Sequence, residues 1–210
     1  MKILAHRGLW RTPAEHNTLA SLSQAFRLGF GVETDIRDQG GKIVVAHDPP
    51  VGSTLPLAEL LDAHASLAPH VCLALNIKSD GLDGLLEREL SRFPSADYFT
   101  FDASVPDSIR YLRRGMAVFT RHSDVEPEPA CYRESAGVWL DELTRPWIEP
   151  DIIARHLSAD KRVCIVSPEL HGRPHLAMWA RLKAELRHSP TSGLLLCTDH
   201  PREAEEFFHA

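Results

Sequence analysis

Val32-Glu33-Thr34-Asp35 sets two carboxylates one residue apart inside an apolar, strand-like run. A strand sends alternate side chains to one face, so Glu33 and Asp35 point the same way. Like charges this close disfavour each other unless a cation joins them, and oxygen ligands sharing a face suit a hard divalent ion. His6-Arg7-Gly8 precedes this pair, and His47-Asp48 begins twelve residues past Asp35. Two imidazoles suit proton transfer near neutral pH. Arg7 and Lys78 suit a phosphate group. Together these residue types point to metal-assisted phosphoryl chemistry.

The elements that must position them alternate along the whole chain. Strand-sized apolar runs cover Lys2–Ala5, Gly31–Ile36, Val71–Ile77, Tyr98–Phe101, Met116–Phe119, Gly137–Leu140, Arg162–Val166 and Gly193–Cys197, with an extra extended piece at Lys42–Ala46. Helical periodicity marks Thr18–Leu28, Pro56–Ala65, Leu82–Phe93, Val105–Arg114, Glu149–Leu157, Pro174–Arg187 and Pro201–Phe208. Asn17, Pro150 and Pro201 read as start signals. Between Asp124 and Glu134, Pro127 and Pro129 permit only a short or distorted helix. Eight strands, each with a following helix, predict an α/β fold: a (β/α)8 TIM barrel, lean and in one domain over residues 1–210.

Such barrels carry their sites on the loops at the carboxyl ends of the strands. The polar residues follow that rule. His6 and Arg7 end the first strand, Glu33 and Asp35 the second, and His47 the extended piece. Asn76 and Lys78 end the third, Asp102 the fourth, Asp141 and Glu142 the sixth, Ser167 and Glu169 the seventh, and Thr198 and Asp199 the eighth. Trp139 and Trp147 flank Asp141, to line a pocket or to pack. The other histidines, His64, His70, His122, His156, His188 and His209, are expected to face solvent.

Composition removes several classes of function. A formal net charge of -6 and no Lys/Arg cluster argue against nucleic acid as a partner. No apolar run is long enough to span a bilayer, and His6-Arg7 interrupts any secretory signal. The four cysteines, Cys72, Cys131, Cys164 and Cys197, form no C-x-x-C pair. Three of them lie in apolar runs as small buried hydrophobes. The expected location is the cytoplasm.

Ala5-His6-Arg7-Gly8, Glu15-x-Asn17-Thr18, Glu33-Thr34-Asp35 and Val45-Ala46-His47-Asp48, with Asn76-Ile77-Lys78 and Thr198-Asp199-x-Pro201, resemble the glycerophosphodiester phosphodiesterase family. The resemblance runs from the first strand to the last and is densest in the first third. It implies a phosphoric diester hydrolase with a divalent cation, Mg2+ or Ca2+, on Glu33 and Asp35. It implies His6 and His47 as general acid and base, Arg7 and Lys78 as phosphate contacts, and Glu15 and Asn17 as supports for the first histidine. The implied substrate is a small-molecule or lipid-derived phosphodiester.

The chain departs from the family pattern in three places. Asn76 stands where the family has a glutamate as third metal ligand; its amide oxygen can coordinate but brings no charge. Only 28 residues separate His47 from Asn76, too few for the insertion that covers the glycerol. Ser167-Pro168-Glu169-Leu170-His171-Gly172-Arg173 follows the seventh strand, where Glu169 is a candidate to restore the missing carboxylate. His171, Arg173 and Asp141 are further candidates for substrate contact. Either water or a neighbouring substrate hydroxyl can serve as nucleophile. The alternative activity class is a degenerate barrel that binds a phosphorylated ligand without cleaving it. An amidohydrolase is disfavoured, since it would need an early H-x-H that is missing here.

Overall fold

Period-two alternation along each strand sorts the core into an outer and an inner layer. The computed structural model describes residues 1–186 and 192–209. Ten strands form one sheet: β1 (Lys2–His6), β2 (Gly31–Gln39), β3 (Lys42–Val45), β4 (Leu55–Pro56), β5 (Leu73–Ile77), β6 (Tyr98–Phe101), β7 (Phe119–Ser123), β8 (Gly137–Asp141), β9 (Arg162–Val166) and β10 (Leu194–Thr198). The helices are α1 (Leu19–Arg27), α2 (Leu57–Leu67), α3 (Asp83–Leu90), α4 (Val105–Arg113), α5 (Pro150–Ser158), α6 (Leu176–Leu186) and α7 (Pro201–His209). β3 and β4 are an antiparallel excursion; β2 turns into β3 through Gly40 and Gly41, whose φ of 57° and 77° suit glycine.

The other eight strands run parallel in a ring. Seven neighbouring pairs share ladders. Between β6 and β7 the described residues supply one parallel bridge, Thr100 to Val118, with the Thr100 N–H donating to the Ala117 carbonyl at 2.8 Å. This is a (β/α)8 TIM barrel with one thin seam.

Ile3, Ala5, Val32, Ile36, Leu73, Leu75, Val138, Leu140, Val163 and Ile165 face outward and pack under the helices. Leu4, Cys72, Ala74, Phe99, Phe101, Phe119, Trp139, Cys164, Leu195 and Cys197 fill the interior. Phe99 stacks on Phe119 with centroids 3.7 Å apart, and Phe101 stacks on Trp139 at 3.9 Å. A Cβ on Gly31 would meet Leu4 Cδ2 at 2.4 Å, and one on Gly137 would meet the Phe119 ring at 2.4 Å. Glycine at these two positions makes room for the inner layer.

Several expectations need correction. The fifth strand lies at Phe119–Ser123, not Met116–Phe119. Met116 and Val118 join the outer layer, while Arg121 and His122 enter the strand because each finds polar partners. No α-helix follows this strand; Pro127 and Pro129 leave turns there, so the described residues hold seven α-helices. Thr18, not Asn17, caps α1, accepting from the Ser21 N–H at 3.2 Å. His64, His122 and His156 are buried, whereas His70 and His209 are exposed. His188 and the predicted helix end at Arg187 lie outside the described residues. Trp139 packs inside the barrel. Cys72, Cys164 and Cys197 are buried free thiols, as expected.

Candidate active site

Continuing the inner-face alternation one step upward gives the polar layer at the barrel mouth. Leu4 is followed on its face by His6, Gly31 by Glu33 and Asp35, and Ala74 by Asn76. On the other side Phe119 leads to Arg121, Trp139 to Asp141 and Cys197 to Asp199. Register completes the grouping, since His6 pairs with Glu33 and Asp35 with Asn76.

His6 Nδ1 lies 2.7 Å from Asp199 Oδ1, and its Nε2 lies 3.8 Å from Glu33 Oε2. Burial alone would lower the His6 pKa, but the Asp199 hydrogen bond and the Glu33 and Asp199 charges outweigh it and raise the value. Arg7, in the left-handed region at φ 58°, brings Nε to 3.1 Å from Asp35 Oδ2. Asn17, also at φ 58°, donates from Nδ2 to Asp35 Oδ2 at 2.9 Å and accepts from the Thr34 hydroxyl at 2.8 Å. Lys78 Nζ lies 3.4 Å from Asp35 Oδ1. Asn76 Nδ2 donates to Glu33 Oε1 at 3.3 Å.

Glu33, Asp35 and Asn76 are buried. Burial first, and then the Asp35 charge, push Glu33 up to about 7 against the pull of His6, Arg7 and Lys78. Five buried polar atoms without a hydrogen-bond partner gather here: Arg7 Nε, His16 Nε2, Glu33 Oε2, Asp35 Oδ1 and Asn76 Oδ1. Buried polar groups are ordinarily satisfied. Three of these five are oxygens from two paired strands, and two belong to carboxylates that strain against each other. That donor set fits a hard divalent cation.

His47 is placed less tightly. The Ala46 N–H donates to the Asp35 carbonyl at 3.0 Å, which sets the next residue at the level of the acids. Its side chain is 45% exposed, with Nδ1 2.9 Å from Asp48 Oδ1.

A second polar group lines the opposite side of the same rim. Asp141 is buried, with Oδ1 2.7 Å from His171 Nε2 and Oδ2 3.4 Å from Arg121 Nη1. Arg121 also grips Asp102. Arg173 donates to the Glu142 carbonyl. Glu169, the candidate to restore a third acidic ligand, has both carboxylate oxygens engaged by neighbouring loop residues. One oxygen accepts from the Ser167 hydroxyl and the other from the Thr198 hydroxyl and, at 3.1 Å, the Asp199 N–H. Glu169 thus supports the loop whose Asp199 holds His6. Sequence reading missed the pairing of Asp199 with His6, for which the late Thr198-Asp199 pair was the available signal.

The sequence matches no family model and no curated protein. The fold has relatives among solved structures. A candidate glycerophosphodiester phosphodiesterase from Galdieria sulphuraria is 17% identical with a TM-score of 0.75, the alignment covering 100% of this chain and 98% of that one. A glycerophosphodiester phosphodiesterase from Agrobacterium tumefaciens is 15% identical with a TM-score of 0.73, covering 100% and 99%. A Ca2+-dependent phosphatidylinositol-specific phospholipase C from Streptomyces antibioticus is 11% identical with a TM-score of 0.59, covering 98% and 96%. The chain therefore has the barrel fold of solved phosphodiester hydrolases of the glycerophosphodiester phosphodiesterase type. Among the described residues no helix is long and apolar enough to cross a membrane.

Proposed function

We propose that the protein is a divalent-cation-dependent phosphodiester hydrolase of the glycerophosphodiester phosphodiesterase type, acting on a small-molecule or lipid-derived diester. The observation that carries this reading is the convergence of three buried oxygens without a hydrogen bond among the described residues, on Glu33, Asp35 and Asn76, beside a carboxylate-oriented imidazole and two cations. Glu33, Asp35 and Asn76 would hold Mg2+ or Ca2+. When bound, the ion would neutralise a phosphoryl oxygen and the charge that grows there.

The chain's own groups supply the rest. Arg7 and Lys78 bind the remaining phosphoryl oxygens, so developing negative charge meets fixed positive partners. Asp199 holds the Nδ1 side of His6 and leaves Nε2 free to take a proton from the nucleophile or deliver one to the departing alkoxide. His47 serves as the opposite partner in this exchange, its ring oriented by Asp48. The opposite side of the rim, with Asp141, His171 and Arg173, contacts the alcohol groups. Free buried thiols accord with the reducing cytoplasm.

The uncharged Asn76 favours one competing reading, a barrel that binds a phosphorylated ligand without turnover. Hydrolysis of bis(p-nitrophenyl) phosphate with and without magnesium or calcium separates the two. A rate that vanishes with chelator and returns with either ion is expected; tight phosphate binding with no turnover under any metal would overturn the enzyme reading.

A further inference from the structure

We propose that His16 is a third imidazole of the reaction centre, contacting the phosphodiester through Nε2. The inference rests on the phosphodiesterase reading and adds a residue to its site. His16 follows a single 3-10 turn, Pro13–Glu15, and its N–H donates to the Pro13 carbonyl at 3.2 Å. Its ring neighbour and its chain neighbour are both anchored to the site. Trp10 meets the ring edge-on, with centroids 4.2 Å apart at 64°, and its indole N–H donates to the His6 carbonyl at 2.9 Å. Next in sequence, Asn17 holds the Arg7 carbonyl by its N–H at 3.0 Å and Asp35 by its side chain. The imidazole therefore packs against a residue gripping His6 and precedes in the chain a residue gripping Asp35.

Its Nε2 is buried with no hydrogen-bond partner among the described residues. A buried ring nitrogen is costly to leave unmatched, and a substrate oxygen held by Arg7 and Lys78 would supply the missing partner. The charges that act on the ring are those of Arg7, His6, Asp199 and Asp35, all groups of the site. Burial, and then the Arg7 cation, hold its pKa below the ordinary value. A neutral imidazole can donate to a phosphoryl oxygen or accept from a hydroxyl, according to tautomer. The other two imidazoles each have Nδ1 engaged already, His6 with Asp199 and His47 with Asp48.

Two measurements test the contact on the full chain. Turnover of bis(p-nitrophenyl) phosphate is compared between wild type, His16→Gln and His16→Ala. In the wild type, the His16 ring nitrogens are followed by 15N NMR as glycerol 3-phosphate is added with magnesium, the resonances being assigned by their loss in His16→Gln. Expected are a fall in kcat/KM of about 10- to 100-fold, the worth of a hydrogen bond to a charged group, and a shifted Nε2 resonance. Unchanged turnover overturns the proposal and leaves the phosphodiesterase reading standing. Reduced turnover with an unmoved resonance assigns His16 to packing against Trp10 and also overturns it. A moved resonance in a protein without turnover keeps the contact and overturns the phosphodiesterase reading. No turnover and no shift overturns both.

Discussion

His6 and Asp199 are 193 positions apart in the chain yet 2.7 Å apart in space. On the proposed mechanism, His6→Ala should lower kcat by about 10²–10⁴, the range for general acid–base groups, with thermal stability unchanged. Wild-type turnover in that variant would remove His6 from the mechanism. Asn76 makes a different test possible, because it brings an oxygen without a charge. Asn76→Asp should tighten cation binding on the order of tenfold, read as a lower half-saturating magnesium concentration for the rate. Unchanged or weaker affinity would mean that Asn76 is no ligand. At this scale much was legible. Glu33 and Asp35 announce themselves because two positions along a strand return a side chain to the same face. Asp199 and His16 did not, since one acts across the whole chain and the other through a buried orphan nitrogen that no sequence pattern encodes.

Strands and helices carry these residues to one rim. Apolar periodicity located most elements within two or three residues, and it failed where polar groups enter a strand. β7 contains Arg121 and His122, whose partners are Asp102 just after β6, Asp141 on β8 and His156 on α5. His122 Nδ1 lies 2.9 Å from His156 Nε2, and the Tyr132 hydroxyl lies 2.9 Å from His156 Nδ1. This chain of contacts ties the helix-free segment after β7 to the barrel wall, doing by hydrogen bonds what a helix does by packing. Nearby, Gly137 faces the Phe119 ring and the Arg162 carbonyl so closely that no side chain fits. Gly137→Ala should cost about 2–3 kcal/mol in urea unfolding, the usual penalty of overpacking. A loss below 0.5 kcal/mol, roughly the scale of a neutral surface change, would show that the Phe119 ring gives way to the extra methyl.

Across the whole molecule, buried titratable groups couple stability to pH in opposing directions. Burial, then the charges of His122 and Arg155, lower His156 to about 4. Between that value and the ordinary 6.5 the unfolded chain takes up a proton that the folded chain refuses, so this group's contribution is full above 6.5 and falls as the pH drops toward 4. His64 and His122, also lowered, act in the same direction. Glu33, raised from 4.5 to about 7, acts in reverse: it stabilises below 4.5, and that contribution is lost as the pH rises through 7. A variant isolates the histidine share. His156→Gln should unfold more easily than wild type at pH 7.5, and the gap in Tm should narrow by pH 5. A gap that stays constant over that range would mean that His156 titrates normally in the folded protein.

The order of strands and helices, the inward set of each strand and the polar crown above it follow from periodicity, which is local and written residue by residue. Pairing is another matter. Which imidazole meets which carboxylate, whether Glu169 supports Asp199 or joins Glu33, and which histidines are enclosed depend on how far-separated strands come into register around a closed ring. Those contacts are decided by the geometry of closure and the close packing of the interior, and neither exists until the chain has folded.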